Sequence, residues 1–226
     1  MVRIFGIHVH VQGQISLHRP TLFVANHISY LDIIVLSSIL DASFIAKSEI
    51  ADWPILGLLS RLQRTLFVEW RRPRAANQRD AISERLGAGS GLILFSEGTS
   101  KDGQRVLPFK SALFSVAERR EGDKPLTIQP VSLAYTRLDG ISLNRVFRPH
   151  YAWFGDMTLM PHMFEMLGVG IVIVEVTFHD PVVGDGSETC KSLAEFCQRV
   201  VRRGLEAALS GRPPAAAPSD AVSANS

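Results

Sequence analysis

A short apolar run that breaks into polar residues and resumes as a longer apolar run is the feature that most constrains the fold. Leu22-Phe23-Val24-Ala25 has the length and composition of a buried strand, and Ile33-Ile34-Val35-Leu36, continuing to Leu40, reads as the first turns of a buried helix. Between them lies Asn26-His27-Ile28-Ser29-Tyr30-Leu31-Asp32, a polar strand-to-helix junction. A second run of the same kind, Gly91-Leu92-Ile93-Leu94-Phe95, enters the polar turn Ser96-Glu97-Gly98-Thr99-Ser100. Strands that end in polar turns and alternate with helical stretches imply an α/β domain. In such a domain two of these turns meet at one edge of a sheet, where α/β proteins bind ligands.

The first junction holds the candidate chemistry. A neutral imidazole takes a proton from a hydroxyl only through an unprotonated nitrogen, and a carboxylate bonded to the other nitrogen fixes that tautomer. His27 and Asp32 have the residue types for such a pair. The alternative is structural: Asn26, Ser29 and Asp32 are all good helix caps, and a turn histidine can simply bond to backbone.

Asn26-His27 with Asp32 resembles the NHxxxxD block of the glycerolipid acyltransferases, the lysophosphatidate acyltransferase-like family, and Phe95-Ser96-Glu97-Gly98-Thr99 resembles its FPEGT block. Leu66-Phe67-Val68-Glu69 and Ile128-Gln129-Pro130-Val131 are similar to its second and fourth blocks, in the same order. Ala46-Lys47-Ser48-Glu49, Leu62-Gln63-Arg64-Thr65, Leu107-Pro108-Phe109-Lys110-Ser111 and the stretch Tyr135 to Gly140 look closer to the bacterial lyso-ornithine-lipid acyltransferase branch. The resemblance implies transfer of a fatty acyl group from acyl-CoA or acyl-carrier protein to the hydroxyl of a lysolipid. It makes His27 the general base, Asp32 its orienting partner, and Glu97, Gly98 and Thr99 the holders of the acceptor's head. Asn26, Arg71, Arg72 and Lys110 complete the expected substrate-binding set. No metal or redox cofactor is implied. A hydrolase using the same pair on water, or a non-catalytic lipid-binding relative, stands as the alternative.

Three positions depart from the family pattern. Ser96 replaces a proline, which removes a fixed φ before Glu97. Trp70 stands where the second block usually ends in arginine, and Ser100 where many members carry another, which weakens a phosphate clamp at those positions. Ser96 is no nucleophile elbow, because Leu94 occupies the place of its first glycine.

With 226 residues and 46% hydrophobic content the chain is long enough for one domain with a sizeable core. The expected organisation is a single α/β acyltransferase-type domain over 1–210, its mostly parallel or mixed central sheet flanked by helices, then a disordered Pro/Ala/Ser tail over 211–226. A net charge of +2 without a basic, aromatic-interleaved stripe argues against nucleic acid. Cys190 and Cys197 fall seven apart on a predicted helix, about 10 Å along its axis and too far to bridge. No apolar run reaches the roughly 18 residues of a span, because Asp32, Asp41 and Glu175 interrupt the longest, and Met1 to Gln14 lacks a signal-peptide core. Only the strand-like Ile4 to Val11 precedes the first block, where family members often carry hydrophobic helices. Either docking is peripheral or the recorded start is short. The expected place of work is the cytoplasmic face of the bacterial inner membrane.

Other elements follow from pattern. Ile7 to Val11 alternates as a strand with His8 and His10 on its solvated face, and Ser43 to Lys47 and Thr65 to Glu69 read as strands. Trp53 to Leu62 is a very apolar helix, either core or a membrane-surface element, and the lipid substrate implied by the resemblance favours the membrane. The run Arg71, Arg72, Arg74, Arg79 is either a solvated loop or a contact for a carrier protein, coenzyme A phosphates or an anionic head group. Ala75 to Leu86 and Phe109 to Ala117 are predicted helices, with Lys110 facing the site. Thr127 to Tyr135 is a strand in which Pro130 suggests an edge or bulge. Phe147 to Asp156 contains Trp153-Phe154-Gly155-Asp156, a strand followed by a turn, Pro161 to Leu167 is a short helix, Gly170 to Phe178 the last strong strand, and Ser187 to Leu209 an amphipathic terminal helix.

Overall fold

The computed structural model describes residues 2–47, 65–68, 91–116, 126–155, 157–183 and 189–211. The expected helices at Trp53 to Leu62 and Ala75 to Leu86, the arginine run with Arg71 and Arg72, and the tail beyond Gly211 lie outside the described residues.

The strands are β1 Ile7–Gly13, β2 Thr21–Ala25, β3 Ala42–Lys47, β4 Leu66–Val68, β5 Gly91–Phe95, β6 Thr127–Leu138, β7 Ile141–Ser142, β8 Val172–Phe178 and β9 Val182–Val183. They form one sheet in the order β1-β8-β6-β2-β5-β3-β4, with β7 and β9 also paired to β6. The run β6-β2-β5-β3-β4 is parallel, β8 pairs antiparallel to β6, and β1 runs parallel to β8. The sheet is thus mixed within a single α/β domain. Helices α1 (Leu31–Ser37), α2 (Leu159–Met166) and α3 (Cys190–Ser210) pack on it, with 3₁₀ turns at Val2–Phe5, Ser111–Val116 and Arg148–His150.

Every residue of β2 is buried, because both faces of the sheet are covered and a strand so placed reads as continuously apolar. Phe23 and Ala25 point into the cluster with Ile34, Val35 and Leu36 of α1 and Met166 of α2. Leu22 and Val24 point into the cluster with Leu193, Cys197, Val201 and Leu205 of α3. The Thr189 hydroxyl caps α3 by accepting from Ser192 N–H at 3.1 Å, and Gly211 ends it at φ 68°. Helix α3 approaches β6 so closely that a Cβ at Gly204 would stand 2.3 Å from Ser132 Oγ.

Three expectations need correction. Pro130 lies inside β6, between β2 on one side and the β8–β9 strands on the other. Its carbonyl accepts from His179 N–H at 3.0 Å, so the side without an N–H faces the bend where β8 stops and β9 has not begun, and no β2 bond is lost. The stretch from Trp153 is not a strand: its backbone is used by the loop after β2, with Trp153 N–H donating to Ile28 O at 3.1 Å. The segment after Lys110 is a 3₁₀ turn, Ser111–Val116, rather than an α-helix.

Candidate active site

Strands β2 and β5 are parallel neighbours, and Ala25 is level with Phe95 at their carboxyl ends. The two polar turns therefore leave the sheet side by side, as the sequence implied. The residues after Ala25 turn sharply, and Asp32 reaches back from the first turn of α1 across that bend. Its Oδ2 accepts from Ile28 N–H at 2.6 Å and Ser29 N–H at 2.9 Å and lies 3.0 Å from His27 Nδ1. An oxygen that receives two backbone N–H groups is an acceptor towards the imidazole as well. Nδ1 consequently carries the proton, which leaves Nε2 with the lone pair of a base.

The pair is held on its remaining sides too. Tyr135, on β6, donates its hydroxyl to Asp32 Oδ1 at 2.9 Å. Burial, and after it the Asp32 charge, pushes the Tyr135 phenol well up, so it stays a neutral donor. The His27 ring stacks on Phe95 at 4.0 Å between centroids, and Phe95 stacks in turn on Phe44. The Asp32 side chain is wholly buried while that of His27 keeps 18% exposure, so the base alone of the two meets the outside. None of these neighbours is apparent from local sequence: Tyr135 stands 103 residues from Asp32 and belongs to a strand whose pattern announces only burial.

The remaining expected site residues divide. Glu97 lies against the loop of the base: Oε2 accepts from His27 N–H at 3.3 Å and Oε1 from Leu107 N–H at 2.9 Å. It is 2% exposed, and burial pushes its carboxyl up to about 8 despite both bonds. Both carboxyl oxygens thus accept backbone N–H groups, which makes Glu97 a strut between the two turns. Asn26 is likewise bonded to backbone. Its amide donates to Leu133 O at 3.0 Å and accepts from Leu133 N–H at 2.8 Å, so it continues the β2–β6 pairing and turns away from solvent.

Gly98 adopts φ +68°, and a Cβ there would stand 2.8 Å from Lys110 Nζ. The Lys110 side chain thus lies over Gly98, and its backbone N–H donates to Ser96 O at 2.9 Å, which brings an exposed ammonium to the turn. Thr99 is exposed beside it. The Ser100 hydroxyl donates to the Trp153 carbonyl. Ser96 is fully buried and its hydroxyl has no hydrogen-bond partner among the described residues, which removes it as a nucleophile. Tyr30, just past the base, approaches His162 Nδ1 of α2 at 3.2 Å. Among the described residues no cluster of three or more His, Cys, Asp or Glu side chains forms a metal site, and His8 and His10 are exposed on β1.

Comparison with known proteins gives this arrangement its context. Residues 6–134 match the family described as Acyltransferase. The sequence is 45% identical over 216 residues to a lyso-ornithine lipid O-acyltransferase of Brucella abortus, covering 94% of this chain and 81% of that one. It is 38% identical over 218 residues to the protein of the same name from Rhizobium meliloti, covering 95% and 75%. A 1-acyl-sn-glycerol-3-phosphate acyltransferase of Neisseria meningitidis is 32% identical over 181 residues, covering 80% and 68%. The crystal structure of the 1-acyl-sn-glycerophosphate acyltransferase PlsC from Thermotoga maritima superposes with a TM-score of 0.60 at 26% identity, over 91% of this chain and 73% of that one.

Proposed function

The chain belongs to the acyltransferase family, close to its lyso-ornithine-lipid O-acyltransferase branch, and from that membership we propose that it esterifies the free hydroxyl of lyso-ornithine lipid with His27 as general base. The observation that carries the mechanism is the 3.0 Å contact of His27 Nδ1 with a buried Asp32 oxygen that accepts two other N–H groups. Nε2 takes the hydroxyl proton as the oxygen attacks the thioester carbonyl. The carbon–sulfur bond then breaks, and the departing thiolate takes that proton from the imidazolium, leaving an ester and a thiol. Asp32 holds the tautomer and stabilises the imidazolium between these steps, and proton transfer of this kind contributes roughly 10² to 10⁴ in rate.

Acyl-CoA or acyl-carrier protein supplies the thioester, and no resident cofactor enters this scheme. Lys110, whose side chain lies over Gly98, brings an exposed cation to the second turn and is assigned to an anionic part of donor or acceptor. Acceptor choice follows the more similar relatives, which are named for lyso-ornithine lipid. The position after Thr99 supports it, since Ser100 there gives its hydroxyl to Trp153 O and supplies no guanidinium for a phosphate dianion. Work of this kind sits peripherally at the cytoplasmic face of the bacterial inner membrane, where thioester donors are at hand.

The purified chain, given labelled acyl-CoA or acyl-carrier protein and either lyso-ornithine lipid or lysophosphatidate, should form ester with a higher kcat/KM on the former. His27→Ala should lose the activity. Free fatty acid without ester would mark a hydrolase. Transfer to lysophosphatidate alone would overturn the acceptor while leaving the base in place.

A further inference from the structure

Helix α2 and its flanks turn apolar side chains outward in a regular pattern. Met157, Met160, Phe164, Leu167 and Ile171 recur at alternating spacings of three and four, and all are exposed, from 38% at Met157 to 63% at Phe164. His162 and Met166 face the core instead. Met160 and Phe164 lie on α2 itself and Met157, Leu167 and Ile171 on its two flanks, so one short segment holds five large apolar groups in solvent, which requires an explanation.

Its place in the fold supplies one. Trp153 donates its backbone N–H to Ile28 O, beside His27, and its indole N–H to Met157 O at 2.9 Å, where the stripe begins. Tyr30, on the same loop as the base, meets His162 of α2. Phe147, 59% exposed, lies in the adjoining loop, which Gln104 ties to Arg145. In contrast Leu17 and Val183 protrude at the opposite end of the parallel strands, level with Thr21 and Thr127. Exposed apolar bulk therefore gathers at the end of the sheet that carries the base.

Charge on that end matches one partner. Lys101, which donates its backbone N–H to His27 O, Lys110 over Gly98, Arg145 bonded to Gln104 and the exposed Arg105 beside it lie on that end, whereas Arg148 is committed to Leu209 O. Asp102 accepts from Gln104 N–H, Asp139 from Ile171 N–H, and Glu165 pairs with His150 at 3.1 Å. Cations around an apolar stripe fit an anionic lipid surface, with the stripe among the acyl chains and the guanidinium groups at the phosphates. An acidic carrier protein would be met by the cations, and the exposed stripe itself contains none.

We propose that the α2 stripe, from Met157 to Ile171, docks this protein on an anionic bilayer and so brings the lysolipid hydroxyl to His27 at the membrane interface. This rests on the reading of the acceptor as a membrane lysolipid, but its test needs no turnover. The full chain is mixed with vesicles of phosphatidylglycerol and phosphatidylethanolamine and separated by flotation. Phe164→Ser combined with Leu167→Ser should lower the bound fraction constant at least about tenfold, which corresponds to the partial loss of two buried apolar side chains. Its melting temperature, and its transfer to a short-chain lysolipid below micelle formation, should stay at the parent values. Phe164→Trp should retain binding, and Leu17→Ser, at the far end, should not change it. Undiminished binding of the double variant overturns the proposal. So does intact vesicle binding with a selective loss of turnover on acyl-carrier protein, which would assign the stripe to the carrier. If the parent shows no transfer yet the double variant still loses vesicle binding, the docking surface stands and the activity reading falls.

Discussion

Replacing Tyr135 by Phe measures how far the His27–Asp32 geometry depends on its partner across the sheet. Tyr135 meets Oδ1 at 2.9 Å, while Ile28 N–H, Ser29 N–H and His27 all meet Oδ2. The substituted ring keeps its stack on Tyr151 at 5.6 Å, so the change deletes a hydroxyl with little loss of packing. Asp32 is wholly buried, and Oδ1 cannot recover a donor from solvent. A hydrogen bond to a charged group contributes about 1.5–3 kcal/mol. In a chain of this size each kcal/mol moves the melting temperature by about 2–4 °C, which gives a fall of roughly 3–12 °C. Catalysis should suffer less, because two backbone N–H groups still fix Oδ2. We expect kcat to drop by about 3- to 30-fold, or ~0.6–2 kcal/mol in the barrier, with KM unchanged within about twofold. Thermal unfolding and steady-state transfer on the same preparation read both numbers. A melting temperature within about 1 °C of the parent would refute the buried bond. A loss as deep as that of His27→Ala would show that the phenol itself reaches the reacting atoms.

Two further outcomes follow from buried polar groups at the strand ends. Glu97, held at about 8 against an ordinary 4.5, keeps a proton that the unfolded chain releases, so it costs stability progressively as pH rises between those values and nothing below them. The slope is at most ~1.4 kcal/mol per pH unit. His179, which burial holds at about 4 against an ordinary 6.5, acts oppositely between those values, and the loss due to Glu97 stands unopposed above 6.5. Glu97→Gln should therefore flatten urea-unfolding stability between about pH 6.5 and 8, and an unchanged slope would contradict the buried carboxyl. Asn26→Ala leaves the buried N–H and C=O of Leu133 without partners, which should cost about 2–5 kcal/mol and lower kcat more than KM by loosening the exit of β2. Retention of both stability and kcat would show that the amide bridge does not set the loop.

The strand-to-turn-to-helix unit around His27 is legible because its information is local. Apolar residues end at Ala25, polar ones occupy the bend, and Asp32 falls in the first turn of α1, just before the next apolar run and within reach of the backbone it must cap. The parallel pairing of β2 with β5 is also foreshadowed, since two fully apolar strands ending in polar turns can share an edge only if they run the same way. What a side chain faces is another matter. Glu97 and Asn26 carry the right groups at the right turn, yet one is used as a strut and the other as an added rung between β2 and β6. Composition at a turn does not distinguish a carboxylate aimed at ligand from one aimed at a neighbouring N–H. Pro130 fails for a related reason: the rule against proline in a central strand concerns the side on which its N–H is missing, and here that side faces the gap between β8 and β9.

These non-local contacts also bear on how the base is prepared. The donors to Asp32 come from its own turn and from Tyr135, Glu97 ties the His27 N–H to Leu107, and Asn26 ties the same loop to β6. None of these bonds involves a substrate, so the tautomer of His27 and the direction of Nε2 are set when the sheet forms. Binding energy from the acceptor is then not needed to align the base and can act on placing the hydroxyl. Trp153 joins this prearranged loop to the exposed α2 stripe, through Ile28 O on one side and Met157 O on the other, and Tyr30 of the loop meets His162 of α2. On the docking proposed above, a lysolipid entering from that surface would meet a base that is already oriented.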